Sequence, residues 1–361
     1  MTRPDDKVDL VTRYEQAQQT VQKIGIVRAL KGLGDMLCLV PALRSLRRSY
    51  PQAEITLVGL PESRFMLERF PQYLDELLVF PGFPGMPERQ PQPGELPAFF
   101  KAAGANTFDL ALQMHGNGAI MNVVTALLGA RHVAGFYLPG SYCPDEKRFL
   151  PFIERESEVR RYLRLLSRLG LPLYGEELEF PVNEEDRAAL AVLPESDYLS
   201  PGSYACLHPG ASVASRRWTP ERFAEVGDYL AEQGLQVVLT GSASEQPLIE
   251  AVCQAMQAPY LNLAGKTGLG TLAALFQQAR LLVCNDTGVS HLAAAVRLPS
   301  VVIFSGSDPA RWAPLNRQRH RIVSLVGQDE QQKDGQNSEN GLAEVLAQVE
   351  ALLGEGKSYA A

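Results

Sequence analysis

A chain of 361 residues is too long for one ordinary hydrophobic core, so two domains are expected. Hydrophobic residues at 45% and charged residues at 21% mark a soluble globular protein, and a net charge of -7 argues against a nucleic-acid partner. The five cysteines (Cys38, Cys143, Cys206, Cys253, Cys284) contain no C-x-x-C, which argues against a zinc ribbon or redox pair and fits a reducing compartment; Cys38, Cys206 and Cys284 lie in apolar runs and read as core.

Residues 1–22 form a polar N-terminal extension without the apolar centre of a signal peptide. No stretch reaches the roughly 20 apolar residues of a membrane span. A cytoplasmic protein is expected, with peripheral attachment to the inner face of the plasma membrane as the alternative. Ile24–Leu30 is an apolar strand ending in Lys31-Gly32-Leu33-Gly34-Asp35, and the helix that follows carries Pro41, which predicts a kink. Strands follow at Ile55–Gly59, Leu77–Phe80 and Asp109–Gln113, with a Pro/Gly-rich loop at 81–97 and a helix after Met121. Arg160–Leu169 is an amphipathic helix, on which Arg160, Arg164 and Arg168 share a face beside Arg161; the reading is a solvated face, with an anionic acceptor or membrane surface as the alternative. The polar stretch 181–202 is the expected linker between a unit at 23–180 and one at 203–328. In the second unit the strand–helix pattern restarts with YACLHPG, QVVLTGS, YLNLAGK, LLVCNDTG and SVVIFSG. After a polar run, Leu342, Val345, Leu346, Val349 and Leu352 share one helical face, so the 329–361 segment should end in a helix packed back on the body. Strands alternating with helices predict two parallel α/β units of Rossmann type, with a ligand in the cleft between them.

Four segments carry chemistry. Gly32 and Gly34 allow a tight turn and close approach of another molecule's backbone or phosphate. Leu37 stands where a dinucleotide fingerprint needs its third glycine, and no acidic residue ends the second strand, which disfavours NAD. Asp35 at the helix start reads either as an N-cap or as a general base kept ionised by the helix dipole. The small-residue loop at His208–Ser212, with Arg216 and Arg217 before Trp218, can hold an anion or can be a solvated loop with Trp218 as a core plug. Asn285-Asp286-Thr287-Gly288-Val289-Ser290-His291, between an apolar strand and a helix, is the sharpest signal: a phosphate cradle at a helix N-terminus, with His291 near the diphosphate or as a satisfied structural group. Gly241–Glu245 and Gly265–Thr267 follow strands of the same unit; Glu245 could accept from ribose hydroxyls and the Thr267 loop could hold the base, or both are ordinary turns. There is no Walker A loop, H-E-x-x-H, G-x-S-x-G or D-x-D pair, so no metal is implied, and a departing diphosphate would rest on backbone dipoles and cations.

These pieces together resemble glycosyltransferase family 9, the bacterial ADP-heptose:lipopolysaccharide heptosyltransferases. The matching stretches are RALKGLGDMLCLVPALRSLRRSYPQAEITLVG, HPGAS…SRRWTPERFAEVGDYL and CNDTGVSHLAAAVRLPSVVIFSG, which with the intervening helices span most of 23–315. The resemblance implies an α/β GT-B fold with two Rossmann-like domains facing a central cleft. It implies inverting, metal-independent transfer of a heptose or related sugar from a nucleotide diphosphate sugar, ADP-heptose or similar, to a hydroxyl of a glycan or glycolipid, with no separate cofactor. It implies Asp35 as the base, Ser212 and Arg216 on the donor diphosphate, Asp286, Thr287, Gly288 and His291 in the donor-binding run, and Glu245 and Thr267 near the nucleoside. Arg216 stands where the family more often has Lys, and Lys31-Gly32-Leu33-Gly34 stands where serines are usual; loop 81–97 matches no acceptor motif. No obligate protein partner is evident. The competing readings are a non-catalytic nucleotide-sugar-binding protein and, further off, an NAD-dependent oxidoreductase.

Overall fold

The computed structural model describes residues 21–325 and 337–355, so most of the N-terminal extension, the polar run near 330 and the last six residues lie outside the described residues. The chain divides into two compact units, Met1–Glu176 and Glu177–Ala361. Each is built on its own six-stranded parallel sheet.

In the first unit the strands are β1 (Lys23–Val27), β2 (Glu54–Gly59), β3 (Glu76–Val79), β4 (Leu110–Gln113), β5 (His132–Tyr137) and β6 (Phe149–Pro151), in the spatial order β3-β2-β1-β4-β5-β6. Every neighbouring pair is parallel. Central strands of such sheets are covered on both faces and read as unbroken apolar runs, as β1 and β2 do. β5 contains Gly135, where an added Cβ would press on the Gln113 backbone, so a close strand approach interrupts the apolar run that would have announced it. The segment after Asp35 is two helices, Leu33–Leu37 and Val40–Ser49. Pro41 stands at the start of the second, where its missing N–H costs nothing, so it opens a helix and does not kink one. The helix Val40–Ser49 packs on the helix Glu158–Arg168.

The second unit repeats the topology with β7 (Tyr204–His208), β8 (Gln236–Leu239), β9 (Tyr260–Asn262), β10 (Leu281–Asn285), β11 (Ser300–Phe304) and β12 (His320–Ser324), ordered β12-β11-β10-β7-β8-β9 and parallel throughout. β12 is polar in sequence, yet it pairs with β11, and its buried His320 meets Ser300 Oγ through Nδ1 at 2.8 Å. The polar stretch after 181 holds a helix, Glu184–Ala191, started by a capping box in which Asn183 and Asp186 satisfy each other's backbone N–H groups. It packs on the helix Leu269–Gln278 of the same unit. The core gathers Phe223, Val226 and Leu230 of the helix Pro220–Glu232 with strand residues such as Leu207, Val283 and Ile303. Val345, Val349 and Leu352 of the C-terminal helix Asn337–Glu355 are buried in this core too. Cys38, Cys206 and Cys284 are buried free thiols. Among the described residues no helix is long and apolar enough to cross a membrane.

Candidate functional site

In each sheet the strand order reverses once, between β1 and β4 in the first unit and between β7 and β10 in the second. Loops leaving the carboxyl ends of strands diverge at such a point and leave room for a ligand. Most of the residues singled out in sequence lie on these loops.

In the second unit, β10 is in register with β7 (Cys284 opposite His208) and with β11 (Asn285 opposite Ile303). The loops after these three strands therefore meet. Asp286 is buried, accepts a 2.5 Å bond from Ser307 Oγ, and lies 3.9 Å from Arg216 Nη1. Arg216 retains 31% side-chain exposure, so its charge is open to an incoming anion. Thr287 is the N-cap of the helix Gly288–Ala295 and its side chain makes no cap bond; its carbonyl takes the Ser290 N–H at 3.0 Å, and the Gly288 and Val289 N–H groups at the helix start are the donors suited to an anion. His291 is 4% exposed in the second position after Val289, with its ring edge-to-face with Trp312 at 6.3 Å. Ser212 is exposed on the loop after β7.

Asn285 organises this junction. It is fully buried; its Nδ2 donates to Pro209 O at 2.7 Å, and its Oδ1 accepts from Trp218 N–H at 3.0 Å. One side chain thus clamps both ends of the loop that carries Ser212 and Arg216. Glu245 lies beside the start of the same loop, where an added Cβ on Gly210 would run into its carboxylate. Its Oε2 takes the N–H and hydroxyl of Ser242, both at 2.8 Å. Burial alone would raise the Glu245 pKa; the Ser242 bonds and the His208 and Arg217 charges outweigh it and hold the carboxyl below its usual range. Burial pulls the His208 imidazole down to about 4 against the opposing pull of Glu245, so it is neutral near pH 7, with Nδ1 3.1 Å from Thr240 Oγ1. Thr267 is half-buried on the turn after β9, beside Lys266, which pairs with Glu195.

In the first unit, Asp35 is not an N-cap. Gly32 caps the helix Leu33–Leu37, and Asp35 stands at its third position with a quarter of its side chain exposed. Its partner is Arg28, fully buried at the end of β1, with Nη2 3.3 Å from Asp35 Oδ1. At the end of β4, His115 accepts the Ala29 N–H through Nδ1 at 3.2 Å and faces Glu88 Oε1 at 3.5 Å through Nε2. That bond is the main cause holding the Glu88 carboxyl below its usual range, and Glu88 belongs to the Pro/Gly-rich loop 81–97. Of the arginines on the helix Glu158–Arg168, Arg161 is buried against Glu158, while Arg160 and Arg164 pair with Glu176 and Glu156. Arg160 and Arg168 are nonetheless exposed and Arg164 partly so, which fits the solvated face expected from the sequence.

Sequence reasoning passed over Arg28, His115, Glu88, Asn285 as a clamp, Ser307 and Trp312. Ser307 and Trp312 follow β11 in SGSDPARW, where only register with β10 brings them to Asp286 and His291. Among the described residues no group of three or more His, Cys, Asp or Glu is gathered closely enough to hold a metal ion.

A profile described as glycosyltransferase family 9 (heptosyltransferase) matches residues 97–343. The chain belongs to glycosyltransferase family 9. It is 26% identical to lipopolysaccharide heptosyltransferase 3 of Escherichia coli K12 over 290 residues, 78% of this chain and 82% of that one. It is 27% identical to lipopolysaccharide heptosyltransferase 2 of the same strain over 307 residues, 81% and 86% of the two chains. Among solved structures, a family 9 glycosyltransferase from Veillonella parvula superposes with a TM-score of 0.76 at 22% identity, covering 92% of this chain and 97% of its own. The structure of E. coli ADP-heptose lps heptosyltransferase II matches with a TM-score of 0.66 at 25% identity, covering 91% and 100%. This family 9 chain is therefore a glycosyltransferase of GT-B fold, its two α/β units the two halves of that fold.

Proposed function

We propose that this enzyme transfers a heptose from ADP-heptose to a hydroxyl of a lipopolysaccharide-type acceptor, with inversion and without a metal. The observation that carries the reading is the meeting of Arg216, Asp286, Ser307 and the N-terminus of the helix Gly288–Ala295 at the strand-order reversal of the second unit. The names of the relatives, lipopolysaccharide heptosyltransferases 2 and 3, supply the substrate class.

In this reading the diphosphate lies on the first-turn N–H groups after Thr287, within reach of Arg216 and the Ser212 hydroxyl. Arg216 supplies charge-assisted bonds to the leaving diphosphate, whose negative charge grows as the glycosidic bond breaks. Gly288 keeps the helix start clear of a side chain, and His291, held edge-on by Trp312, adds a further contact. Glu245 has one carboxylate oxygen committed to Ser242 and presents the other to the ribose; Thr267 borders the base. On the first unit, Asp35 removes the proton from the acceptor hydroxyl, and Gly32 and Gly34 give the acceptor close access to it. That oxygen attacks the anomeric carbon as the bond to the ADP phosphate breaks. The enzyme works in the cytoplasm, or peripherally on the inner face of the plasma membrane.

The test is a thermal-shift titration with ADP, ADP-heptose, UDP and GDP, with and without EDTA, on the wild type and Asp286→Ala. A ligand that binds only the native state raises the melting temperature. Stabilisation by ADP and ADP-heptose, lost in Asp286→Ala, is the expected result. Stabilisation only by UDP or GDP would replace the donor, and stabilisation that disappears with EDTA would refute metal independence.

A further inference from the structure

We propose that Arg28 is the positioning residue for Asp35, and that it does so as part of a charge chain that is buried at its centre and reaches solvent at the Asp35 carboxylate. The inference rests on Asp35 being the base.

The helix that carries Asp35 is five residues long and its N-cap, Gly32, makes no side-chain bond. One turn of helix is a poor platform for a carboxylate that must meet a hydroxyl in a fixed direction. Arg28 supplies what the helix lacks. Its Nε donates to the main-chain oxygen of Asp35 at 2.9 Å, and its Nη2 donates to the carboxylate of the same residue at 3.3 Å. One guanidinium therefore holds both the backbone and the side chain of Asp35, and only a planar fork can do both at once.

The other side of the guanidinium is held as firmly. Nη1 donates to Met114 O at 2.6 Å and to the Tyr162 hydroxyl, and the guanidinium carbon lies 4.8 Å from the Tyr162 ring centre. The Tyr162 hydroxyl donates onward to Glu158, which is paired with Arg161. Burial raises the Tyr162 pKa well above its usual value, so the hydroxyl keeps the proton it donates. Arg28, Glu158 and Arg161 have side chains at most 3% exposed, against 25% for Asp35. Beyond Arg161 the chain runs on through Glu156 to Arg164, so three anions and three cations alternate along it and their charges balance. β1, β4 and the helix Glu158–Arg168 each contribute to it, so the carboxylate is referenced to the sheet and not to its own short helix.

A purely structural staple of this kind would affect stability and leave turnover of the folded enzyme intact. A positioning residue affects kcat at constant donor KM, because the donor is held on the other unit. The experiment measures ADP release from ADP-heptose with a lipopolysaccharide truncated to its inner core as acceptor. Variants are Arg28→Lys, Tyr162→Phe, the double variant Arg28→Met with Glu158→Gln, Asp35→Ala, and Arg160→Ala as a control on the same helix. Expected are kcat losses of about tenfold for Arg28→Lys and about a hundredfold for the double variant, with donor KM within about twofold, and no change for Arg160→Ala. If the double variant does not fold, Arg28→Lys and Tyr162→Phe decide, the latter expected to lose about threefold in kcat. Unchanged kcat in every folded Arg28 and Tyr162 variant, with Asp35→Ala inactive, overturns the inference and leaves the base assignment standing. An active Asp35→Ala overturns both.

Discussion

Replacing Asn285 by alanine should damage the donor side more than any replacement of an exposed site residue. The change removes two bonds, from Nδ2 to Pro209 O at 2.7 Å and from Trp218 N–H to Oδ1 at 3.0 Å. Both backbone groups stay buried, and each orphaned group costs about 1–3 kcal/mol, so the loss should be about 3 kcal/mol. The chain has two tryptophans, Trp218 and Trp312, and both lie in the second unit, so tryptophan emission during urea unfolding reports on that unit. With a slope of about 2–3 kcal/mol/M, the midpoint should fall by about 1 M at unchanged slope. The loop that loses its clamps carries Ser212 and Arg216, so ADP affinity should fall by about tenfold in the folded variant. Asn285→Asp tests the same reasoning differently. It keeps an acceptor for Trp218 but turns an oxygen toward Pro209 O and buries a charge beside Asp286, so it should destabilise at least as much. A midpoint shift below about 0.3 M together with unchanged ADP affinity would refute the clamp.

Acid should weaken the second unit through His208. Its folded pKa lies near 4, below the 6.5 of an exposed imidazole, so the unfolded chain takes the proton first. The contribution is fully present above about pH 6.5 and is lost as pH falls toward 4; its full size is about 3 kcal/mol, and the wild-type-minus-His208→Gln difference in unfolding free energy between pH 7 and 5 should carry that slope. Arg216→Ala should raise the ADP dissociation constant by about tenfold or more, with Arg216→Lys recovering most of it, as read by calorimetric titration; equal affinities would remove Arg216 from the diphosphate site. Trp312→Ala should raise donor KM by several-fold while Trp312→Phe stays near wild type, because the edge-to-face contact with His291 needs only an aromatic ring; a phenylalanine variant as impaired as alanine would exclude that role.

The sequence by itself determined the class of fold and the addresses of most candidate residues. Apolar runs such as Ile24–Val27 and Leu281–Asn285, each followed by a glycine-bearing turn and a helix, can hardly be anything but buried parallel strands, because strands covered on both faces have no polar side to display. The family resemblance was legible for the same reason: the candidate donor and acceptor residues cluster in short strings at strand ends, where local order in the chain is also local order in space. Elements with mixed surroundings were harder to read. β12 carries His320 and Arg321, and its place shows only through its pairing with β11; the helix after Asn183 lies in a stretch whose polarity reads as linker, because its capping box is local but its packing partner is some 80 residues away. Only the tertiary structure decided which side chains act together. Arg28 meets Tyr162 across 134 positions, Asn285 meets Pro209 across 76, and Ser307 meets Asp286 across 21. None of these pairs has a spacing that repeats along the chain, since sheet order and register bring them together, and a parallel sheet whose strand order reverses sets neighbours that no local pattern encodes.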